Sequence, residues 1–197
     1  QAKNSNTFVI KTSKVVSGSI TRSQIWKADG TEDQILYSSD AQADDNFGYS
    51  VNISGDYAIV GSRYDDDGGS SAGSAYIYKR DTSTGVWGSE QKITASDAQA
   101  DDNFGVSVSI SGDYAIVGAQ HEDTGGTSVG AAYIYKRDTS TGVWGSEQKI
   151  QSSDKQTDDR LGYSVNISGD YAIVGSHGED TGGSSAGSAY IFKRVHQ

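Results

Sequence analysis

One stretch of this sequence occurs three times. It runs from Asp44 to Gly61, returns from Asp101 to Gly118, and returns again with a few changes from Asp158 to Gly175, at a spacing of 57 residues. A repeat of that length builds one supersecondary unit, and such units bury their apolar faces by stacking on their neighbours. The chain therefore has to fold as an array.

Each repeat reads as four short strands. Tyr49, Val51 and Ile53 alternate with Ser50, Asn52 and Ser54, the period of a half-buried strand. Ser54-Gly55-Asp56 is a tight turn, and Tyr57-Ala58-Ile59-Val60 is unbroken apolar sequence, as in a strand covered on both faces. A Gly- and Ser-rich loop from Asp65 to Gly73 leads to a third strand, Ala75-Tyr76-Ile77-Tyr78. A turn around Asp81 to Gly85 then passes Trp87 to a short polar strand, Gln91-Lys92-Ile93, whose lysine reads as protection of an exposed sheet edge. No segment has a sustained helical period. The expected fold is all-β, a β-propeller-type array of four-stranded antiparallel blades. A β-solenoid and a sandwich are the competing all-β readings. Solenoid coils are shorter than this repeat, and a sandwich has no need of three near-copies.

The organisation follows: residues 38–94, 95–151 and 152–197 as three repeats, the third without an outer strand, and residues 1–37 as a degenerate blade or strand-donating segment. Phe8-Val9-Ile10 and Val15-Val16 read as strands in that segment, and Gln34-Ile35-Leu36 falls at the repeat spacing from Gln91-Lys92-Ile93. Those three residues are candidates for the missing edge of the third repeat. Three near-identical repeats leave two apolar blade faces uncovered.

Composition narrows the partners. The formal charge is −10, from 16 basic and 26 acidic residues, which argues against nucleic acid, whose phosphates require a basic surface. No apolar run is long enough to span a membrane. Cys, Pro and Met are absent. Without Cys there is no disulfide framework. Residue 1 is not a translation start, so the chain is expected to be a processed product or a fragment, with a removed secretory signal as one explanation.

The pattern Asn46-Phe47-Gly48, then Ala58-Ile59-Val60-Gly61, then Gly73-Ser74-Ala75-Tyr76-Ile77-Tyr78 resembles the FG-GAP repeat, the blade unit of integrin α-chain propellers and of many surface proteins. The Phe-Gly pair recurs at Phe104-Gly105 and becomes Leu161-Gly162, and the second element recurs as Gly61-Ser62, Gly118-Ala119 and Gly175-Ser176 without its proline. The resemblance covers about residues 38–194. It implies an extracellular or cell-surface location and a role in adhesion or ligand recognition. Family members that bind calcium in the blade carry a DxDxDGxxD loop between the first two strands. Here that place holds only Ser54-Gly55-Asp56 and its counterparts, too short to supply the oxygen ligands of a calcium ion.

Two acidic clusters recur elsewhere. Asp40 with Asp44 and Asp45 is repeated as Asp97 with Asp101 and Asp102, and as Asp154 with Asp158 and Asp159. Asp65-Asp66 is repeated as Glu122-Asp123 and Glu179-Asp180. Carboxylates on Gly-rich loops suit calcium, and the first cluster is the better candidate for it. The same residues suit solvated loops in which Asp caps its own turn, the preferred reading because neither cluster has a metal-loop spacing. The histidines occupy unmatched positions and no serine lies in a nucleophile elbow, so an enzyme is not expected. Trp87 and Trp144, placed on turns, are expected to lock the outer strand of their own blade in preference to stacking on a sugar. The functional expectation is a non-enzymatic surface module for a protein or carbohydrate ligand. The alternative is a homo-oligomeric structural subunit that assembles with copies of itself, through blade faces or N-terminal strands, into a filament or ring.

Overall fold

A computed structural model describes residues 32–195. The expected strands at Phe8-Val9-Ile10 and Val15-Val16 lie outside the described residues. Among the described residues, eleven strands form three antiparallel sheets, each a meander in chain order. Blade 1 holds β1 (Phe47–Ser54), β2 (Tyr57–Ser62), β3 (Ser74–Arg80) and β4 (Trp87–Ile93). Blade 2 holds β5 (Ser107–Ser111), β6 (Tyr114–Ala119), β7 (Ala131–Arg137) and β8 (Trp144–Ile150). Blade 3 holds β9 (Leu161–Ser168), β10 (Tyr171–Ser176) and β11 (Ser188–Lys193), and β11 has β10 as its sheet neighbour. The fold is all-β and propeller-like, and the three sheets do not close on one another.

The first hairpin of each blade turns at Gly55, Gly112 or Gly169, all near φ 58, where a side chain at that position would be strained. An Asp follows each of these glycines and pairs with an Arg at the end of the third strand or, in blade 3, just after it, in Arg80–Asp56, Arg137–Asp113 and Arg194–Asp170. This ties the turn of the first hairpin to the third strand of the same sheet.

The blades pack through the repeated apolar residues. Ile59, Ile77 and Ile93 on the back of blade 1 meet Val108, Ile110, Val117 and Trp144 on the front of blade 2. Ile116, Ala132 and Ile150 on the back of blade 2 meet Val165, Ile167 and Val174 of blade 3. The same sequence positions have opposite fates at the ends of the array. Val51 and Ile53 on the front of blade 1 are 67% and 64% exposed, whereas their counterparts Val108 and Ile110 are buried. Ile173 and Ile191 on the back of blade 3 are exposed, whereas Ile59 and Ile77 are buried.

The FG-type glycines set how closely blades approach. A Cβ on Gly61 would lie 2.0 Å from the Gly105 carbonyl oxygen, and one on Gly118 would lie 1.9 Å from that of Gly162. Backbone thus packs on backbone between blades, and only the absence of a side chain permits it. The Ser50 and Ser107 hydroxyls donate to those same carbonyls across the interface, each at 2.7 Å. Main-chain bonds extend the contact. Asp101 N, Asn103 N and Phe104 N donate to the carbonyls of Ser70, Ser71 and Ala72, and Asp158 N, Arg160 N and Leu161 N donate to Thr127, Ser128 and Val129.

Two local expectations change. Trp87 and Trp144 begin strands β4 and β8 instead of lying on turns. Trp144 is buried and meets Tyr57 of the preceding blade edge-to-face, with ring centroids 5.6 Å apart. The tryptophan therefore contributes to blade-to-blade packing, a long-range contact to which the strand's own residues give no clue. The segment Gln34-Ile35-Leu36 does not join β11 within the chain. It lies against blade 1: the Gln34 amide donates to the Trp87 carbonyl and accepts from the Trp87 N–H.

Candidate functional site

In an antiparallel meander the links β1–β2 and β3–β4 fall at one end of the sheet. The links β2–β3 and β4–β5 fall at the other, and the same holds in each blade. The Gly-rich loops at residues 63–73, 120–130 and 177–187 therefore share a rim with residues 38–46, 94–104 and 151–160. All nine acidic residues singled out as calcium candidates lie on this rim.

Asp40 and Asp97 are drawn into a cluster that the sequence does not announce. The Lys92 ammonium lies 2.7 Å from Asp40 Oδ2, 2.9 Å from Asp65 Oδ2 and 2.6 Å from Asp67 Oδ2. One repeat later, Lys149 Nζ lies 2.7 Å from Asp97 Oδ2 and 2.6 Å from Glu122 Oε1, and donates to Thr124 Oγ1. Tyrosines complete both clusters. The Tyr76 hydroxyl is 2.8 Å from Asp40 Oδ1 and 2.6 Å from Asp65 Oδ2, and Tyr133 donates to Asp97 Oδ1 at 2.9 Å. In blade 3, Tyr190 reaches Asp154 and Ser188 donates to Glu179. The lysine expected to guard an exposed edge instead points to the rim and is largely enclosed, because its strand lies beside the tyrosine strand and below the loop.

The electrostatics follow from this geometry. Burial opposes ionisation of Asp40 and Asp65, but hydrogen bonds from Lys92 and Tyr76 outweigh it and hold both carboxyls below the usual range. For Lys92, burial favours the neutral amine, and bonds to Asp40, Asp67 and Asp65 outweigh it, so its pKa is raised. Burial first, and then the neighbouring carboxylates, push the Tyr76 and Tyr133 hydroxyls up.

Asp44 and Asp45 part from Asp40. Asp45 is buried and its Oδ2 accepts from Gln42 N at 2.7 Å, as Asp102 does from Gln99 N and Asp159 from Gln156 N. These three aspartates cap their own loops. Burial pushes the Asp102 carboxyl up to about 6, the bond from Gln99 N opposes this, and Glu122 and Asp97 add repulsion. Asp159 is shifted the same way, again chiefly by burial. Asp44, Asp101 and Asp158 are exposed and adopt positive φ of 70°, 68° and 66°. In the second acidic cluster, the Oδ1 atoms of Asp66, Asp123 and Asp180 accept from Ser71 N, Ser128 N and Ser185 N.

Among the described residues, the three acidic side chains whose oxygens lie within 4.8 Å of one another are Asp40, Asp65 and Asp67, and the lysine ammonium is bonded to all three. The carboxylate pair Asp40 and Asp65 comes one from each acidic cluster, and neither is adjacent in sequence to the lysine that joins them. The available signal was the recurrence of Lys92 as Lys149 at the spacing that relates Asp40 to Asp97.

Comparison with curated proteins gives no match to the chain. The FG-GAP repeat matches three times, at residues 31–78, 87–135 and 144–192. The second and third matches begin with β4 and β8 and run through the first three strands of the next blade, so the family's unit is offset from the sheet by one strand. With the Phe-Gly pair, the close-packed glycines and three meander sheets in place, the chain belongs to the FG-GAP repeat family.

Proposed function

We propose that this chain is a non-enzymatic recognition module of an extracellular or cell-surface protein, and that its acidic rim binds a basic protein surface in adhesion. The observation that carries this reading is the alignment of outward carboxylates along one rim. Asp44, Asp101 and Asp158, with Asp66, Asp123 and Asp180, are all exposed and recur blade by blade. Main-chain bonds between neighbouring loops hold them in a fixed array. An ordered row of like charge gives complementarity and fast association with a partner of opposite sign. Its loops stand on a rigid scaffold, where binding residues usually sit.

The paired groups beneath the rim favour binding over catalysis. Lys92 is held charged and Tyr76 neutral, so neither is poised to exchange a proton near neutral pH. A sugar-stacking role has less support, since Trp144 is spent between blades.

The test is binding of an oligolysine peptide to the immobilised chain at 50 and 200 mM salt, against the variant Asp66→Asn/Asp123→Asn/Asp180→Asn. Asparagine keeps each loop-capping oxygen and removes the charge. Affinity is expected to fall about tenfold or more in the variant and to weaken with salt. Equal binding by the two proteins would overturn the rim as the recognition surface.

A further inference from the structure

We infer that the two end faces left open by the described blades fit each other, so that a second copy of this chain docks head-to-tail, its blade 1 seated on the back of blade 3. The inference concerns the blade faces and is independent of what the rim binds.

The front of blade 1 already carries the imprint of a preceding blade. Residues 34–40 contact blade 1 in the way that 91–97, the outer strand of blade 1 and the turn after it, contact blade 2. Gln34 exchanges two bonds with the Trp87 main chain, and Gln91 exchanges two with that of Trp144. Ser39 bonds Glu90, and Ser96 bonds Glu147. The Tyr78 hydroxyl donates to the Tyr37 carbonyl, and that of Tyr135 donates to Thr94. Asp40 reaches Tyr76 and Lys92, and Asp97 reaches Tyr133 and Lys149. Segment 34–36 is thus placed as the outer strand of a blade whose other three strands are not among the described residues. Blade 3 is the complement, three strands with β11 open on its outer side among the described residues. The register of β3 with β4 pairs Ala75 with Ile93, Tyr76 with Lys92 and Ile77 with Gln91. Carried over, it pairs Ala189 with Leu36, Tyr190 with Ile35 and Ile191 with Gln34 of the second copy.

The faces match in the same way. Tyr171, Ile173 and Ile191 are exposed on the back of blade 3, while Val51 and Ile53 are exposed on the front of blade 1. Within the chain, the residues equivalent to these two sets bury each other. Gly175 supplies the most specific sign. Its counterparts Gly61 and Gly118 have no room for a Cβ because the next blade's carbonyl lies 2.0 and 1.9 Å from that position, whereas a Cβ on Gly175 would have nothing closer than Ser164 Cβ at 3.6 Å. The space beside Gly175 is where the Gly48 carbonyl of a second copy seats, within reach of the Ser164 hydroxyl. Such a contact uses different patches on the two partners. It closes into a ring if the rotation permits and otherwise continues as a filament.

The test is the mass of the full chain by light scattering over a range of concentration, with two variants. Gly175→Ala blocks the blade 3 end without crowding anything in the isolated chain, and Val51→Asp blocks the blade 1 end. The wild type is expected to exceed the monomer mass, and each variant alone is expected to stay monomeric with unchanged circular dichroism and Tm. Mixed together, the two variants keep one live end each and should form a dimer and nothing larger. A monomeric wild type would overturn the inference, as would variants that associate like the wild type, the latter placing association on another surface. Loss of rim binding in the asparagine variant would leave these masses unchanged, so the two proposals fail separately.

Discussion

Lys92 joins the outer strand of blade 1 to two loops that are distant in sequence. It balances Asp65, whose side chain is 4% exposed, and two partly exposed aspartates. Removing one partner of a buried ion pair leaves charge without compensation. Lys92→Met is therefore expected to cost about 2 kcal/mol in urea unfolding at pH 7, less than a fully buried pair because the cluster is partly solvated. It also frees three carboxylates within 4.8 Å of one another, so millimolar calcium should restore part of the loss in the variant. An equal calcium response in the wild type would count against the lysine as the resident cation. Asp102 makes the opposite case. Its carboxyl is raised from 3.8 to about 6, so the folded state holds the proton more tightly than the unfolded chain does. Its contribution to stability is complete below about pH 3.8 and is lost as pH rises through about 6. Asp102→Asn keeps an oxygen for Gln99 N and carries no charge. It is expected to stabilise by about 2 kcal/mol at pH 7.5 and by almost nothing at pH 4. If instead calcium binds the loop of Asp97, Asp101 and Asp102, the substitution should destabilise the protein in calcium, which thermal melts with and without chelator would reveal.

At the scale of the element, the glycine-to-carbonyl contact between blades is the tightest constraint. Gly61→Ala or Gly118→Ala must push two sheets apart and is expected to cost about 3 kcal/mol, the upper part of the overpacking range. Gly55→Ala, with open space around its Cβ, should cost about 1 kcal/mol from its positive φ alone. Equal losses at Gly55 and Gly61 in denaturant titrations would show that strain, not blade approach, governs both. This contact also marks where sequence reading reaches its limit. The first three strands of each blade were legible, because period-two alternation and an apolar run are local properties. Half of the fourth was not: Trp87, Gly88, Ser89 and Glu90 have the composition of a turn, and they become strand by pairing with β3 and bonding Gln34. The lysine clusters were hidden for a related reason. Asp40, Asp65 and Lys92 meet only after the outer strand is folded beside β3 and the preceding loop is laid across it. The acidic residues of the rim were visible, but the sequence grouped Asp40 with Asp44 and Asp45, whereas folding sends Asp40 to a lysine, Asp45 into its own loop and Asp44 to solvent.

Across the whole array, identical residues meet different surroundings according to position, which is why no local reading could tell Val51 from Val108. Stability in such arrays is close to a sum of blade and interface contributions. Blade 2 has two interfaces, and Ile116 and Val117, on opposite faces of β6, are both fully buried. Among the described residues, blade 1 has no neighbouring blade on its front and blade 3 none on its back. Local opening should therefore be easiest at the ends and hardest in the middle. Amide hydrogen exchange of the dilute chain is expected to be slowest in β6, faster in β1, and fastest in β11, which among the described strands has a sheet partner on one side alone. Uniform protection across the three blades would mean that they unfold as one unit and that the interface sum is the wrong description. Concentration adds a second axis to the same measurement. If copies dock end to end, residues 34–36, β1 and β11 gain partners as concentration rises, and their exchange should slow. Exchange in β6, already enclosed on both faces, should stay where it was, because a new blade at either end touches neither of its surfaces.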